Sequence, residues 1–200
     1  MLKLSLLRRE PPALEGRRVR LRAPRNSDFS AWSALRRESR GFLEPWEPRW
    51  AGDELDRSGW RRRMRRYHED FEAGVAIAYL IFEKEAGRLV GGITLGNVRY
   101  GVAQSAQIGY WTGERHAGRG YMQDAVRTLV VHAFETMRLH RVEAACIPGN
   151  VRSIRVLEKA GFEREGLLRS YLRINGVWQD HYIYARIAGD PGPAPARREA

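Results

Sequence analysis

A glycine-rich basic turn links a short apolar run to a long amphipathic helix within residues 107–137. The turn occupies residues 115–120, with two arginines and two glycines, and apolar residues recur with helical spacing from Met122 onward. The first N–H groups of a helix lack intrahelical partners and carry partial positive charge, which favours anions. Because glycines let the backbone approach a phosphate and arginines add charge, the turn suits a diphosphate.

The spacing of the two glycines argues against the common nucleotide-binding loops. It matches neither GxxxxGK[ST] nor GxGxxG, since no Lys-Ser/Thr pair follows and a third glycine is missing. Nucleoside triphosphate and dinucleotide binding therefore lose support. A turn that merely enters a core helix stays open as the structural alternative.

A second segment with polar residues at helical spacing follows at 150–162 and reads NVRSIRVLEKAGF. Asn150 is a helix cap, and Ser153 and Leu157 project from roughly the same helical face. Gly161 fits the left-handed position after the helix. Both helices follow successive strands, so their N-termini should open on one edge of the sheet.

Taken together, the two segments resemble the GNAT superfamily of acyl-CoA-dependent N-acetyltransferases. The turn resembles the pyrophosphate loop of that superfamily, and residues 150–162 resemble its second CoA-contacting segment. With QIGYW at 107–111, the pattern is most similar to the ribosomal-protein-alanine (RimJ/RimL) branch, over roughly residues 16–188. The resemblance implies an α/β (α+β) fold of GNAT type, a mixed central sheet with helices on both faces, and acetyl-CoA as co-substrate without a metal.

The resemblance also implies which residues contact acetyl-CoA. Backbone atoms of the strand before the turn would bind the pantetheine arm, the turn would bind the diphosphate, and the second segment would complete the site. The residues so implied are Tyr110, Trp111, Thr112, Arg115, His116, Ala117, Gly118, Arg119, Gly120, Tyr121, Asn150 and Ser153.

The chemistry of acetyl transfer requires a neutral amine, a stabilised tetrahedral oxyanion and a proton for the departing thiolate. Many GNAT enzymes use a tyrosine seven residues after the asparagine as the acid, but this chain has Leu157 there. We expect Ser153 to donate that proton, unless it only caps the helix. Glu165 is the expected base, with Glu114 as a rival, although an α-amine titrating near about 8 can react without a dedicated base.

Aromatic residues are the candidates for binding the acceptor. Trp46 and Trp50 lie in a segment with two prolines, 42–50, that cannot be one continuous helix. In the resembling family this region belongs to the acceptor cleft, and Tyr171 could line the same pocket. Ordinary aromatic packing is the alternative.

Length and composition fit a single domain. The 200 residues suit one α/β domain at 16–188, between a loose segment at 1–15 and a disordered tail at 189–200. We predict the element order β α α β β β α β α β β. The single cysteine argues against a disulfide framework or a zinc cluster. Without a signal peptide or a long apolar stretch, a cytoplasmic protein without membrane association is expected.

The formal net charge of +11 favours phosphate-rich partners, although nearly all the basic residues are arginines. The densest run, residues 61–66, is either the solvated face of a helix or a docking surface for the ribosome or for CoA phosphates. The sequence predicts an acetyl-CoA-dependent N-acetyltransferase acting on a protein N-terminal α-amine, that of alanine in a ribosomal protein. The alternatives are a GNAT enzyme for a small amine (amino acid, polyamine or antibiotic) and a catalytically weak RNA- or ribosome-binding module.

Overall fold

A central eight-stranded sheet carries helices on both faces in the computed structural model, which describes residues 10–191. The strands are β1 (Leu14–Glu15), β2 (Val19–Arg22), β3 (Ile77–Glu83), β4 (Leu89–Arg99), β5 (Ser105–Thr112), β6 (Arg141–Cys146), β7 (Glu163–Ile174) and β8 (Val177–Ile187). The helices are α1 (Phe29–Glu38), α2 (Arg40–Leu43), α3 (Arg57–Glu72), α4 (Tyr121–Glu135) and α5 (Val151–Lys159). The predicted α/β fold class is confirmed.

The sheet is mixed, in the order β1-β2-β3-β4-β5-β6-β8-β7. All neighbouring strands are antiparallel except β5 and β6, whose parallel register ends at Ile108 opposite Ala144. Strand β5 nevertheless continues to Thr112 and β6 to Cys146. A gap therefore opens between these two strands toward their carboxyl ends.

Alternation along β3 shows how the two faces are covered. Tyr79 and Ile81 join the larger core, which contains the buried stripe of α4, whereas Leu80 joins a smaller core with Trp32 of α1 and Trp60 of α3. Successive strand residues point to opposite faces. Helices α4 and α5 thus cover one face, and α1 to α3 cover the other.

Helix α4 forms as its apolar stripe predicts and is tied to the sheet at its first turn. The Asp124 carboxylate accepts hydrogen bonds from the backbone N–H groups of Arg17, Arg18 and Val19, at 3.2, 2.7 and 3.1 Å. One carboxylate thus satisfies three backbone N–H groups where the chain enters β2. This contact fixes the beginning of α4, and with it the preceding turn, relative to the sheet.

Local differences from the predicted elements have simple causes. Leu14–Glu15 is not loose, because it pairs with β2 as the edge strand β1. Helix α3 begins at Arg57, after a turned segment. The prolines at 42–50 do interrupt the helical structure as expected, so that the segment forms α2 and a 3-10 turn.

The domain bounds stay a prediction, and residues 1–9 and 192–200 lie outside the described part.

The described part of the chain shows neither a membrane-spanning helix nor a cluster of metal-binding side chains. No helix within residues 10–191 is long and apolar enough to cross a membrane. Over the same range, no three His, Cys, Asp or Glu side chains come together in a way that could hold a metal ion.

Candidate active site

The gap between β5 and β6 is the entrance to a cleft of about 780 Å³. Its walls are the second half of β5, the basic turn with the start of α4, the end of β6, the first turns of α5 and the segment 42–47. Beyond Ile108 the β5 backbone has no paired residue in β6. Tyr110, Trp111 and Thr112, from which backbone contacts to pantetheine were predicted, lie on this unpaired stretch.

The basic turn has the backbone geometry that an anion site needs. A 3-10 turn, Glu114–His116, leads to Gly118 and Gly120, with φ of 75° and 78°, and α4 starts directly after Gly120. A Cβ atom on Gly118 would meet nothing within 4 Å, so the glycine is required by conformation rather than by crowding within the protein. The free N–H groups of α4 face the cleft entrance.

Arg18 supports the turn from the edge of the sheet, and sequence reasoning missed it. Its Nη1 donates to the carbonyl oxygen of Arg119 at 2.5 Å, and its guanidinium lies 4.9 Å from the centre of the Tyr121 ring. The partners are about a hundred residues apart in sequence, so no local pattern could reveal the contact.

His116 lies in the turn, as predicted. Its side chain is buried, and its Nε2 accepts a hydrogen bond from Arg115 Nε at 3.2 Å. Burial, followed by the nearby Arg115 and Arg119, lowers the pKa of the imidazole below its usual 6.5, which favours the uncharged ring. Its predicted contact with the cofactor stays a prediction.

On the other wall, the N-terminus of α5 is capped, and a hydroxyl of α5 meets a hydroxyl of β5. Asn150 Oδ1 accepts from Ser153 N at 3.1 Å, which is the predicted cap. The hydroxyl oxygens of Ser153 and Tyr110 are 2.8 Å apart. Burial raises the pKa of the Tyr110 phenol well above its ordinary value, so the phenol stays protonated. The predicted donor Ser153 thus has a partner from a strand 43 residues away, which spacing could not indicate.

Two neighbours of Ser153 are buried. Cys146 is almost fully buried, and burial raises its pKa to about 11, so its thiol is uncharged. Leu157 has no exposed surface and packs in the core with Phe162. Ser153 and Leu157 are one turn apart in α5 and therefore share roughly one helical face, as predicted, with Leu157 in the core.

Glu165 does not reach the cleft, so its expected role as base is wrong on geometry. Both carboxylate oxygens accept from Arg141, which opens β6 at the end opposite to the gap. The hydrogen bond from Arg141 is also the main cause that lowers the pKa of the Glu165 carboxyl. Its rival Glu114 lies at the cleft wall but is exposed to solvent.

The three predicted acceptor residues lie at different depths. Trp46 lines the cleft. Trp50 stands behind Glu47, to which its Nε1 donates at 2.7 Å. Tyr171 is not among the residues that line the cleft. Its ring packs edge-on against that of His181, which does line it, with 5.8 Å between the ring centroids. Glu47 and His181 line the cleft and were missed by sequence reasoning.

These features together define a class of enzyme. A parallel strand pair separates beside a glycine-containing helix N-terminus, and this geometry favours an anion with an extended arm. A neutral hydroxyl pair at the same gap offers a proton donor. The fold and site are those of an acyl-CoA-dependent N-acyltransferase.

Comparison with known proteins agrees. Residues 18–163 match the acetyltransferase (GNAT) domain, and the chain therefore belongs to the GNAT family of N-acetyltransferases. It is 38% identical to the probable N-acetyltransferase YjcK of Bacillus subtilis, over 88% of this chain and 98% of that protein. It is 33% identical to the [ribosomal protein uS5]-alanine N-acetyltransferase of Escherichia coli, over 78% of this chain and 80% of that protein.

A solved structure extends the likeness to three dimensions. Mycobacterium smegmatis RimJ, in complex with CoA-disulfide, superposes with a TM-score of 0.86 and 33% identity, covering 92% of this chain and 91% of that chain. The chain is thus an N-acetyltransferase of the RimJ/RimL type.

Replacing Gly120 with valine should weaken acetyl-CoA binding at least about tenfold. A β-branched residue in the left-handed region costs about 1–2 kcal/mol, and the turn would shift its N–H groups to avoid that cost. Isothermal titration calorimetry measures the change. Gly101→Val is the matched control, because Gly101 has φ of 68° in an open turn away from the cleft. Equal affinity in both variants would show that the diphosphate does not bind at this turn.

Proposed function

We propose that this enzyme transfers the acetyl group of acetyl-CoA to the N-terminal α-amine of a protein, that of alanine in a ribosomal protein, in the cytoplasm. The proposal is carried by the gap between β5 and β6, which joins the glycine-containing turn to an aromatic-walled opening at 42–47. The similarity to the uS5-alanine N-acetyltransferase supports the same acceptor class.

In this proposal, acetyl-CoA lies along the cleft from the basic turn to the hydroxyl pair. The N-terminus of α4 and the turn at 115–120 would hold the diphosphate through backbone N–H groups and arginines. The unpaired backbone at 110–112 would bind the amides of the pantetheine arm, as a β-strand would. This arrangement would bring the thioester to the part of the cleft where Ser153 and Tyr110 meet.

Ser153 is the group that we assign to protonate the departing thiolate. A hydroxyl has one proton and two acceptor sites. When Tyr110 donates to Ser153 Oγ, one acceptor site is filled and the serine proton is free to point into the cleft. Tyr110 therefore acts as a positioning residue in this proposal, through the hydroxyl rather than only through its backbone.

The basic run at 61–66 gives little support to the RNA-binding alternative. Three of its five arginines pair with acids, in the ion pairs Arg62–Asp53, Arg63–Glu54 and Arg65–Glu69. Such pairing favours the solvated helical face over a docking surface for phosphates.

An acceptor assay tests the proposed substrate. The purified enzyme with acetyl-CoA should acetylate a peptide that starts with alanine, and mass spectrometry should place the acetyl group on the α-amine. The matched control is the same peptide with a blocked N-terminus and an internal lysine, which should stay unmodified. Faster turnover of spermidine than of the alanine peptide would contradict a protein acceptor.

The hydroxyl pair predicts non-additive effects on turnover. Ser153→Ala should lower kcat about a hundredfold and Tyr110→Phe about tenfold, with little change in the KM for acetyl-CoA. In the double variant, Tyr110→Phe should cost nothing further, because its effect passes through the serine. Tyr79→Phe is the control, since that buried hydroxyl has no hydrogen-bond partner among the described residues. Independent, additive losses would disprove the positioning role.

A further inference from the structure

His181 is a buried histidine that borders the cleft on β8. Its side chain is 2% exposed and forms part of the cleft wall. Its Nδ1 lies 2.9 Å from the carbonyl oxygen of Gln179, which can only accept, so Nδ1 carries a proton. In the neutral ring the lone pair is then on Nε2. The edge-on ring of Tyr171 restricts rotation of the imidazole.

The strand register places His181 on the face opposite to the hydroxyl pair. Tyr182 lies across from Cys146, and both Tyr182 and Tyr184 pack with the core on the α4 side. Because side chains alternate along a strand, His181 points to the other face, and it lines the cleft together with Trp46. Tyr110 packs against the core on the α4 side, with its hydroxyl at Ser153 of α5. Imidazole and hydroxyl therefore approach the gap from opposite sides.

The charged groups around His181 are already engaged. The Glu47 carboxylate, on the same wall of the cleft, receives two hydrogen bonds from Arg36, at 2.5 and 3.1 Å. The Asp180 carboxylate accepts from the backbone N–H of Ser170 at 2.8 Å. Both carboxylates therefore already accept hydrogen bonds from protein donors. The imidazole Nε2 of His181 has no such donor among the described residues.

We propose that His181 is the general base of the acetyl transfer, an inference that rests on the proposed function. An ammonium proton of the acceptor passes to Nε2 and from there to water. The amine nitrogen attacks the thioester carbonyl carbon, an N–C bond forms, and the π electron pair moves to oxygen. When the C=O bond re-forms, the C–S bond breaks, and the thiolate takes a proton from Ser153. The nitrogen passes its second proton to Nε2, which again gives it to water, and Ser153 regains a proton from water. Overall one proton is released.

A base is useful here because the α-amine of the acceptor must lose a proton before it can attack. An α-amine with a pKa near about 8 is mostly ammonium at pH 7, where it has no lone pair for attack. A base within the cleft can accept the proton after the acceptor has bound, and such general-base assistance contributes on the order of a hundredfold or more. At about pH 9 the amine is already neutral, and this advantage disappears.

His181→Asn tests the proposal, because its side-chain N–H can still reach Gln179 while the Nε2 lone pair is lost. We expect kcat/KM for the alanine peptide to fall about a hundredfold at pH 7 and by less than about tenfold at pH 9. The acetyl-CoA dissociation constant should not change. Exogenous imidazole should restore part of the rate of His181→Ala, which gives a second test if the first variant folds poorly. His140→Asn, an exposed histidine just before β6, should behave like the wild type.

The possible outcomes separate the base from the acceptor. The proposal for His181 alone would be overturned if His181→Asn lowered kcat/KM equally at every pH. It would also be overturned if His181→Asn had the wild-type rate and imidazole had no effect on His181→Ala. If the wild type acetylates spermidine but not the peptide, the protein acceptor is wrong, and the same variants measured with spermidine decide the role of His181. If the wild type binds acetyl-CoA but acetylates neither amine, both proposals fall.

Discussion

The end of pairing between β5 and β6 is the constraint on which the rest of the structure depends. Each strand is held along its length by its outer neighbour: β5 by β4 as far as Thr112, and β6 by β8 as far as Cys146. The two strands can therefore separate without losing their strand conformation. Gly91 and Gly92 permit the close approach of β4, because a Cβ on either would lie within about 2.5 Å of Trp111 atoms.

This separation turns an ordinary sheet into a passage between two chemically different faces. The face of α4 and α5 provides the helix N-terminus for a diphosphate and the hydroxyls of Ser153 and Tyr110. His181 lies on the other face, and Trp46 lines the same cleft. A thioester in the gap would thus meet a proton donor on one side and an amine with its base on the other. Such an arrangement would allow direct acyl transfer from the thioester to the amine.

Local patterns in the sequence predicted the elements that depend on local physics. The stripe of α4, the cap at Asn150 and the left-handed backbone at Gly161 are all confirmed. Each depends on helical periodicity, a capping side chain or backbone with positive φ, and these are set by residues close in sequence. The turn at 115–120 belongs to the same group, since its geometry depends on two glycines and the helix that follows.

Contacts between distant strands could not be predicted in this way. Ser153 finds Tyr110, and Arg18 finds the turn, only because the sheet order brings them together. Glu165 was misjudged because its partner Arg141 lies two strands away in the sheet, so its position after α5 gave no sign of the ion pair. His181 has no motif around it, and its place at the gap follows from the register of β6 with β8.

The central claim is that the gap and the adjoining turn form one site for acetyl-CoA. Calorimetric titration of the wild-type enzyme with acetyl-CoA, dephospho-CoA and ATP tests it most directly. We expect acetyl-CoA to bind with a dissociation constant on the order of micromolar, and ATP, which has phosphates but no pantetheine arm, to bind much more weakly. Absence of acetyl-CoA binding, or equal affinity for ATP, would contradict the account and leave the turn as a structural feature of α4.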